Sequence, residues 1–270
     1  MIDIQNETDS RDVPLQKVGI RGLRYPVQVL DKLNGTQKTS GVVDLFVNLP
    51  RHFKGTHMSR FVEVFHAYHT DLSMKRFLAM LEEIRQKLDA EQAFGILKFP
   101  FFLEKKAPVS MQSGMMSYEC TYEGNVSKDK SRFYVSVSVP VSTLCPCSKA
   151  ISRRGAHNQR GVVNVKVECH SFFWIEDIIS LVELSASSAL YSVLKRSDEK
   201  FVTEQAYDNP RFVEDVVREV YVAMSDFNAA DSTDDSRKAG CFFKWFSVEA
   251  ENFESIHSHN AYAYTESIKL

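Results

Sequence analysis

The chain has 270 residues, with 33 Lys and Arg against 35 Asp and Glu and a formal net charge of −2. That balance excludes a bulk electrostatic grip on nucleic acid or on an anionic membrane surface. No apolar run approaches the roughly 20 residues that span a bilayer, and the polar, acidic opening "MIDIQNETDSRD" is the reverse of a secretory signal. A cytoplasmic protein is expected. The five cysteines, at 120, 145, 147, 169 and 241, are odd in number and too sparse for a disulfide scaffold. Cys120, Cys169 and Cys241 lie in strand-like runs and read as structural thiols. The length suits two modules of about 130 residues each.

Residues 1–13 read as a flexible N-terminus. Two extended runs follow, "VGIRGLRYPVQVL" and "GVVDLFVNLP"; in the second, Val43, Leu45, Val47 and Leu49 alternate with Asp44, Phe46 and Asn48, the period of a strand. Two helices come next. The first spans about 58–68; the second spans about 74–88, with Phe77, Leu81, Ile84 and Leu88 on one face and Ser73 as N-cap. The extended runs "FGILKFPFFLEK" and "MMSYECTYEGNV" close this first module, residues 14–130.

The second module, residues 131–270, repeats the order. "SRFYVSVSVPVS" and "GVVNVKVECH" alternate as strands. A long helix is expected over about 175–194, and another begins at "DNPRFVEDVV" with Asn209 as N-cap and Pro210 in the first turn. "NAADSTDDSRKAG" reads as a surface loop, and "CFFKWFSVEAENF" and "HNAYAYTES" as closing strands. Each half therefore runs strand, strand, helix, helix, strand, strand, which indicates tandem copies of one α+β module. Short connections favour an antiparallel sheet with the helix pair on one face. Exposed sheet edges favour assembly into an oligomer.

The chemistry concentrates in "STLCPCSKAISRRGAHNQRG". Cys145 and Cys147 flank Pro146 beyond a strand end, too close for a CxxC redox pair. His157 follows in irregular backbone marked by Gly155 and Gly161. A thiol and an imidazole from one loop suit a zinc-type site, which needs a third protein ligand and an open position for water. A Cys/His nucleophilic pair and two structural thiols are the other readings. Asp198, Glu199 and Glu204 in "KRSDEKFVTEQ" could supply the third ligand, although a charged helix end is ordinarily just solvated. Glu214 and Asp215 open a helix, where the dipole favours carboxylates anyway. "ENFESIHSHNAYAY" offers Glu251, Glu254, His257 and His259; the two histidines would share a face on a strand, and either could act as acid or base near neutral pH. "KGTHMSR" gathers Lys54, His57, Ser59 and Arg60 before a helix, a set that suits phosphate or merely a basic cap.

Taken together, "KGTHMSRF", "TLCPCSK", "GAHNQR", "RSDEKFVTEQAYDNPRFVED" and "ENFESIHSHNAYAY" resemble GTP cyclohydrolase of type IB, over about residues 14 to 265. The chain departs from the family pattern at Ser197, where proline is expected, and in a longer loop near 228–240. The resemblance implies two tandem tunnelling-fold modules and a homotetramer with the site near a subunit interface. It also implies conversion of GTP and water to 7,8-dihydroneopterin triphosphate and formate, the entry to tetrahydrofolate. By the matching motifs, Cys145, His157 and Glu199 would hold a divalent metal (Zn, Mn or Fe), with no organic cofactor. Cys145 would thereby be catalytic, Glu214 would bind guanine, and His257 would be the acid and base. Lys54, His57 and Arg60 would meet the triphosphate, reaching an adjacent subunit's site. No nucleic acid or membrane partner is implied. A tunnelling-fold nitrile reductase acting on a deazaguanine through a cysteine thioimide, or a non-catalytic purine-binding protein, would be the alternatives.

Overall fold

A computed structural model describes residues 9–51, 53–168, 171–227 and 242–267. Most of the expected flexible N-terminus, the surface loop at 228–240, Cys169 and Cys241 lie outside the described residues. The chain divides into two compact units. Unit 1 comprises residues 1–100 and 120–135; unit 2 comprises 101–119 and 136–270. No described helix is long and apolar enough to cross a membrane.

Unit 1 is built from β1 (Leu15–Asp31), β2 (Gly35–Leu49), α1 (Met58–Tyr68), α2 (Met74–Lys87) and parts of β3 (Gln92–Lys106), β4 (Ser113–Ser127) and β5 (Ser131–Leu144). The alternation in β2 puts Val43, Leu45, Val47 and Leu49 inside, and β2 pairs antiparallel with both β1 and β3. Ser73 Oγ caps α2 by accepting the Arg76 N–H at 3.4 Å. Phe77, Met80, Leu81 and Ile84 form the buried face of α2, and the expected Leu88 is instead its half-buried C-cap residue. Glycines on two strands admit that helix: a Cβ at Gly95 would stand 2.8 Å from the Leu81 side chain, and one at Gly124 only 2.6 Å from it. Phe77 then meets Tyr122 and Phe133 edge-on, at ring separations of 6.2 and 5.6 Å.

Unit 2 carries the remainder of β3–β5 with α3 (Pro146–Ile151), β6 (Asn158–Glu168), α4 (Ile175–Ser185), β7 (Ser188–Ala189), α5 (Arg196–Asp208), α6 (Val213–Ser225), β8 (Trp245–Asn252) and β9 (Ala261–Glu266). Pairing runs β5–β6–β8–β9, and β7 joins β5. The antiparallel ladders β6–β8 and β8–β9 are continuous over the described strands. α4 and α6 correspond to the expected helix pair, and α6 packs on β8 and β9.

The expected helix over 175–194 is shorter and is followed by structure of its own. α4 stops at Ser185, because the next residues find partners on β5: Ser187 Oγ accepts the Leu144 N–H at 3.1 Å, and Ser188 pairs with Ser142. The chain then re-enters helix as α5. Asn209 ends α5 rather than starting α6, and its side-chain amide donates to Ala186 O at 2.9 Å. Phe212 is the N-cap residue of α6, with Asp215 accepting its N–H at 3.0 Å.

Candidate active site

The site begins where β5 ends. Cys145 precedes α3, and its Sγ accepts the Ser148 N–H at 3.4 Å. Pro146 fits the first helical turn, where its missing N–H leaves no bond unmade. The short helix ends at Ile151, and the chain turns at Gly155, whose φ of 127° suits glycine. His157 returns beside Cys145: the Cys145 N–H donates to His157 O at 3.1 Å, and the His157 N–H donates to Ser148 Oγ at 3.0 Å. The thiol and the imidazole are thus fixed by backbone on both sides of one turn.

Cys145 and His157 line a cavity of about 430 Å³ in unit 2 together with Glu214 and His257. That size accommodates a small-molecule ligand. Arg211, at the same cavity, ties the α5–α6 connection to the site: its N–H donates to Leu144 O at 3.0 Å, and its guanidinium meets Glu219 at 3.0 Å. Glu214 lies exposed in the first turn of α6. His257 and His259 sit in the turn between β8 and β9, not on a strand, because β8 ends at Asn252. Their rings still stack, 5.3 Å apart, and both face the cavity. Tyr262 closes one side; its hydroxyl donates to Glu249 at 2.9 Å, which raises the phenol above its ordinary range.

The remaining candidates fall elsewhere. Glu199 is exposed on α5 and does not line this cavity. Among the described residues, no group of three or more His, Cys, Asp and Glu is arranged to hold a metal ion. The neighbouring Asp198 is wholly buried and accepts from Val109 N, Ser110 N and Lys195 N at 2.8 Å each and from Ser110 Oγ at 2.6 Å. Burial alone would raise its carboxyl, but these donors prevail and hold it well below the usual carboxylate range. Cys147 is exposed. Lys54, His57 and Arg60 belong to unit 1; His57 precedes α1, and Arg60 donates to Lys87 O at the end of α2, 3.0 Å away.

Gln159 and Asn252, both buried and both lining the cavity, were absent from the sequence-based candidates. Gln159 sits within "GAHNQR" but carries no titratable group, so chemistry-bearing residue types alone do not flag it. A polar side chain in the core-facing row of β6 is the signal that could have found it.

The family model "Type I GTP cyclohydrolase folE2" matches residues 1–263. The chain is 53% identical over 266 residues to a protein of Syntrophus aciditrophicus (strain SB) named GTP cyclohydrolase FolE2, covering 98% of this chain and 99% of that one. It is 47% identical to the GTP cyclohydrolase FolE2 of Geobacter sulfurreducens, covering 100% of this chain and 99% of that one. Among solved structures, uricase from Arthrobacter globiformis superposes with a TM-score of 0.52 at 7% identity, covering 93% of this chain and 92% of that chain. Urate oxidase from Bacillus subtilis 168 gives 0.51 at 6% identity, covering 93% and 98%. At such identity the likeness speaks for fold alone, and the fold is that of tandem tunnelling modules.

Proposed function

The chain belongs to the FolE2 family of type I GTP cyclohydrolases, and on that premise we propose that it converts GTP and water to 7,8-dihydroneopterin triphosphate and formate in the cavity of its second module, residues 131–270. The observation that carries this reading is the gathering of Cys145, His157, Glu214 and His257 around one cavity.

The carboxylate of Glu214 suits the guanine edge, whose N1–H and 2-amino groups are both donors. His257 protonates the imidazole nitrogen of the base, which makes C8 more electrophilic, and returns protons during ring opening. A second water releases formate from the formamide. Lys54, His57 and Arg60, contributed by an adjacent subunit of a homotetramer, meet the triphosphate, and this remote binding energy positions C8. The exposed edge residues Tyr262 and Tyr264 on β9 agree with assembly through that strand.

The residues fit a divalent metal in chemistry. Cys145 and His157 offer a thiolate and an imidazole nitrogen to one cavity, and His157 Nδ1 is already engaged by Gln159 at 3.0 Å, which leaves Nε2 for coordination. Glu199 is proposed as the third ligand. When bound, the metal would supply Lewis acidity that lowers the pKa of water to near neutrality. A set of one sulfur, one nitrogen and one oxygen donor would accept Mn or Fe as well as Zn.

The test is incubation of the purified, metal-loaded protein with GTP, followed by pterin fluorescence and formate. Cys145→Ala should abolish both signals and Cys147→Ala should retain them. His257→Ala should lower kcat by about 10²–10⁴-fold. Product from Cys145→Ala at the wild-type rate would overturn the ligand assignment. Absence of product with Zn, Mn and Fe alike would overturn the function.

A further inference from the structure

We propose that Gln159, anchored by Thr143, is the positioning residue that fixes His157 in the tautomer able to bind metal; the proposal rests on the metal-binding reading above. Thr143 and Gln159 occupy core-facing positions of β5 and β6, in rows that also carry Val137, Val139 and Val141 on one strand and Val163, Val165 and Val167 on the other. Thr143 is 0% exposed and Gln159 8%. An amide buried in such a row is costly unless both its ends are bonded. Both are: Gln159 Nε2 donates to Thr143 Oγ1 at 2.9 Å, and Gln159 Oε1 faces His157 Nδ1 at 3.0 Å.

An amide oxygen carries no proton, so in the neutral imidazole the proton on this line belongs to Nδ1. The lone pair is then on Nε2, the nitrogen left for the cavity. Ser255 Oγ, 3.4 Å from the same Nδ1, can accept from it as well and does not oppose this assignment. The reversed amide would point an N–H at Nδ1, with the Thr143 hydroxyl donating to Oε1. His157 would then carry its proton on Nε2, where no metal could bind. The ring nitrogen bonded to Gln159 thus dictates the state of the other.

Glutamate at position 159 separates the two arrangements, because it can only accept. Three readouts apply. In the metal-free protein labelled with ¹⁵N-histidine, the His157 nitrogens report the tautomer directly. Competition between the protein and a chromophoric chelator for Zn²⁺ gives affinity, and thermal unfolding reports the fold. Gln159→Glu should keep the Nδ1–H tautomer and wild-type or tighter Zn²⁺ binding. Gln159→Met should lose the preference and weaken Zn²⁺ binding by about 10–100-fold, the usual cost of removing such a partner. Thr143→Val, which keeps the side-chain shape, should weaken it less, and serves if Gln159→Met does not fold. Wild-type affinity in Thr143→Val and in any folded Gln159→Met would overturn the proposal, as would an Nε2–H tautomer in the metal-free wild type or equal losses in Glu and Met variants. Failure of the wild-type protein to bind Zn²⁺ would instead overturn the metal reading, while the tautomer measurement would still judge the role of Gln159.

Discussion

Both units combine antiparallel strands with a helix pair, α1 and α2 in unit 1 and α4 and α6 in unit 2, but unit 2 adds α3, β7 and α5, and the two fill their interiors differently. Among the described residues, unit 1 buries two polar side chains, Asp31 and Thr56, while unit 2 buries ten, including Thr143, Gln159, Asp198 and Asn252. Unit 1 is held by interlocked aromatic rings under α2. Unit 2 uses its buried polarity to fix connections: Asp198 grips the β3–β4 turn, and Lys105, 14% exposed, meets Glu183 at 2.7 Å while Tyr118 donates to the same carboxylate at 2.9 Å. Burial lowers the Lys105 amine and raises the Tyr118 hydroxyl from their ordinary ranges. Apolar contacts contribute alike at any pH. Buried polar groups bring irregular chain segments to defined places, and the candidate site is made of such segments.

The sharpest attack on this contrast is in unit 1. Phe77→Ala empties a fully buried position and should cost about 4 kcal/mol in urea unfolding. The loss should be the same at pH 5 and pH 8; a strong pH dependence would break the contrast. In unit 2, Glu183→Ala strands Lys105 in the interior and should cost about 3 kcal/mol. The double variant Lys105→Met/Glu183→Met should recover most of that loss, and failure to do so would assign the stability to shape rather than charge. Asp198→Asn should lower Tm at pH 7 by several degrees. A carboxyl depressed in the folded state contributes stability above its unfolded pKa, near 4, and loses it as pH falls through the folded value. The gap between wild type and variant should therefore narrow below pH 4. A constant gap across the acid range would show that hydrogen-bond geometry, not ionisation, accounts for the effect.

The two units also differed in legibility. In unit 1 the alternation of Val43 to Leu49, the face of α2 and the Ser73 cap follow directly from sequence, since local pattern and tertiary burial agree there. In unit 2, apolar spacing through Ala186, Ala189 and Val193 continues the pattern of α4, but strand pairing at Ser188 and Ala189 overrides it. Val193 ends up exposed, and α5 begins afresh at Arg196. Cys145, His157, Glu214 and His257 were candidates by residue type and were singled out by the family resemblance, and one cavity collects them. Gln159 was not named, and Asp198 was named only as a possible ligand, not as the anchor of the β3–β4 turn. Their importance lies in long-range bonds to Thr143 and to Ser110, which no local spacing records.

The single hydrogen bond from Cys145 N–H to His157 O has a consequence for how this region tolerates change. The chain between these residues makes an excursion whose far part, Ser152 to Arg154, is exposed and ends at a glycine turn. The far part of the excursion does not place the thiol and the imidazole; the bond at its base and the Ser148 bonds near its start do. Trypsin nicking at Arg153 or Arg154, or insertion of a short glycine-serine stretch there, should leave these bonds and the cavity lining by Cys145 and His157 in place. The region offers a point of attachment for a reporter beside the cavity.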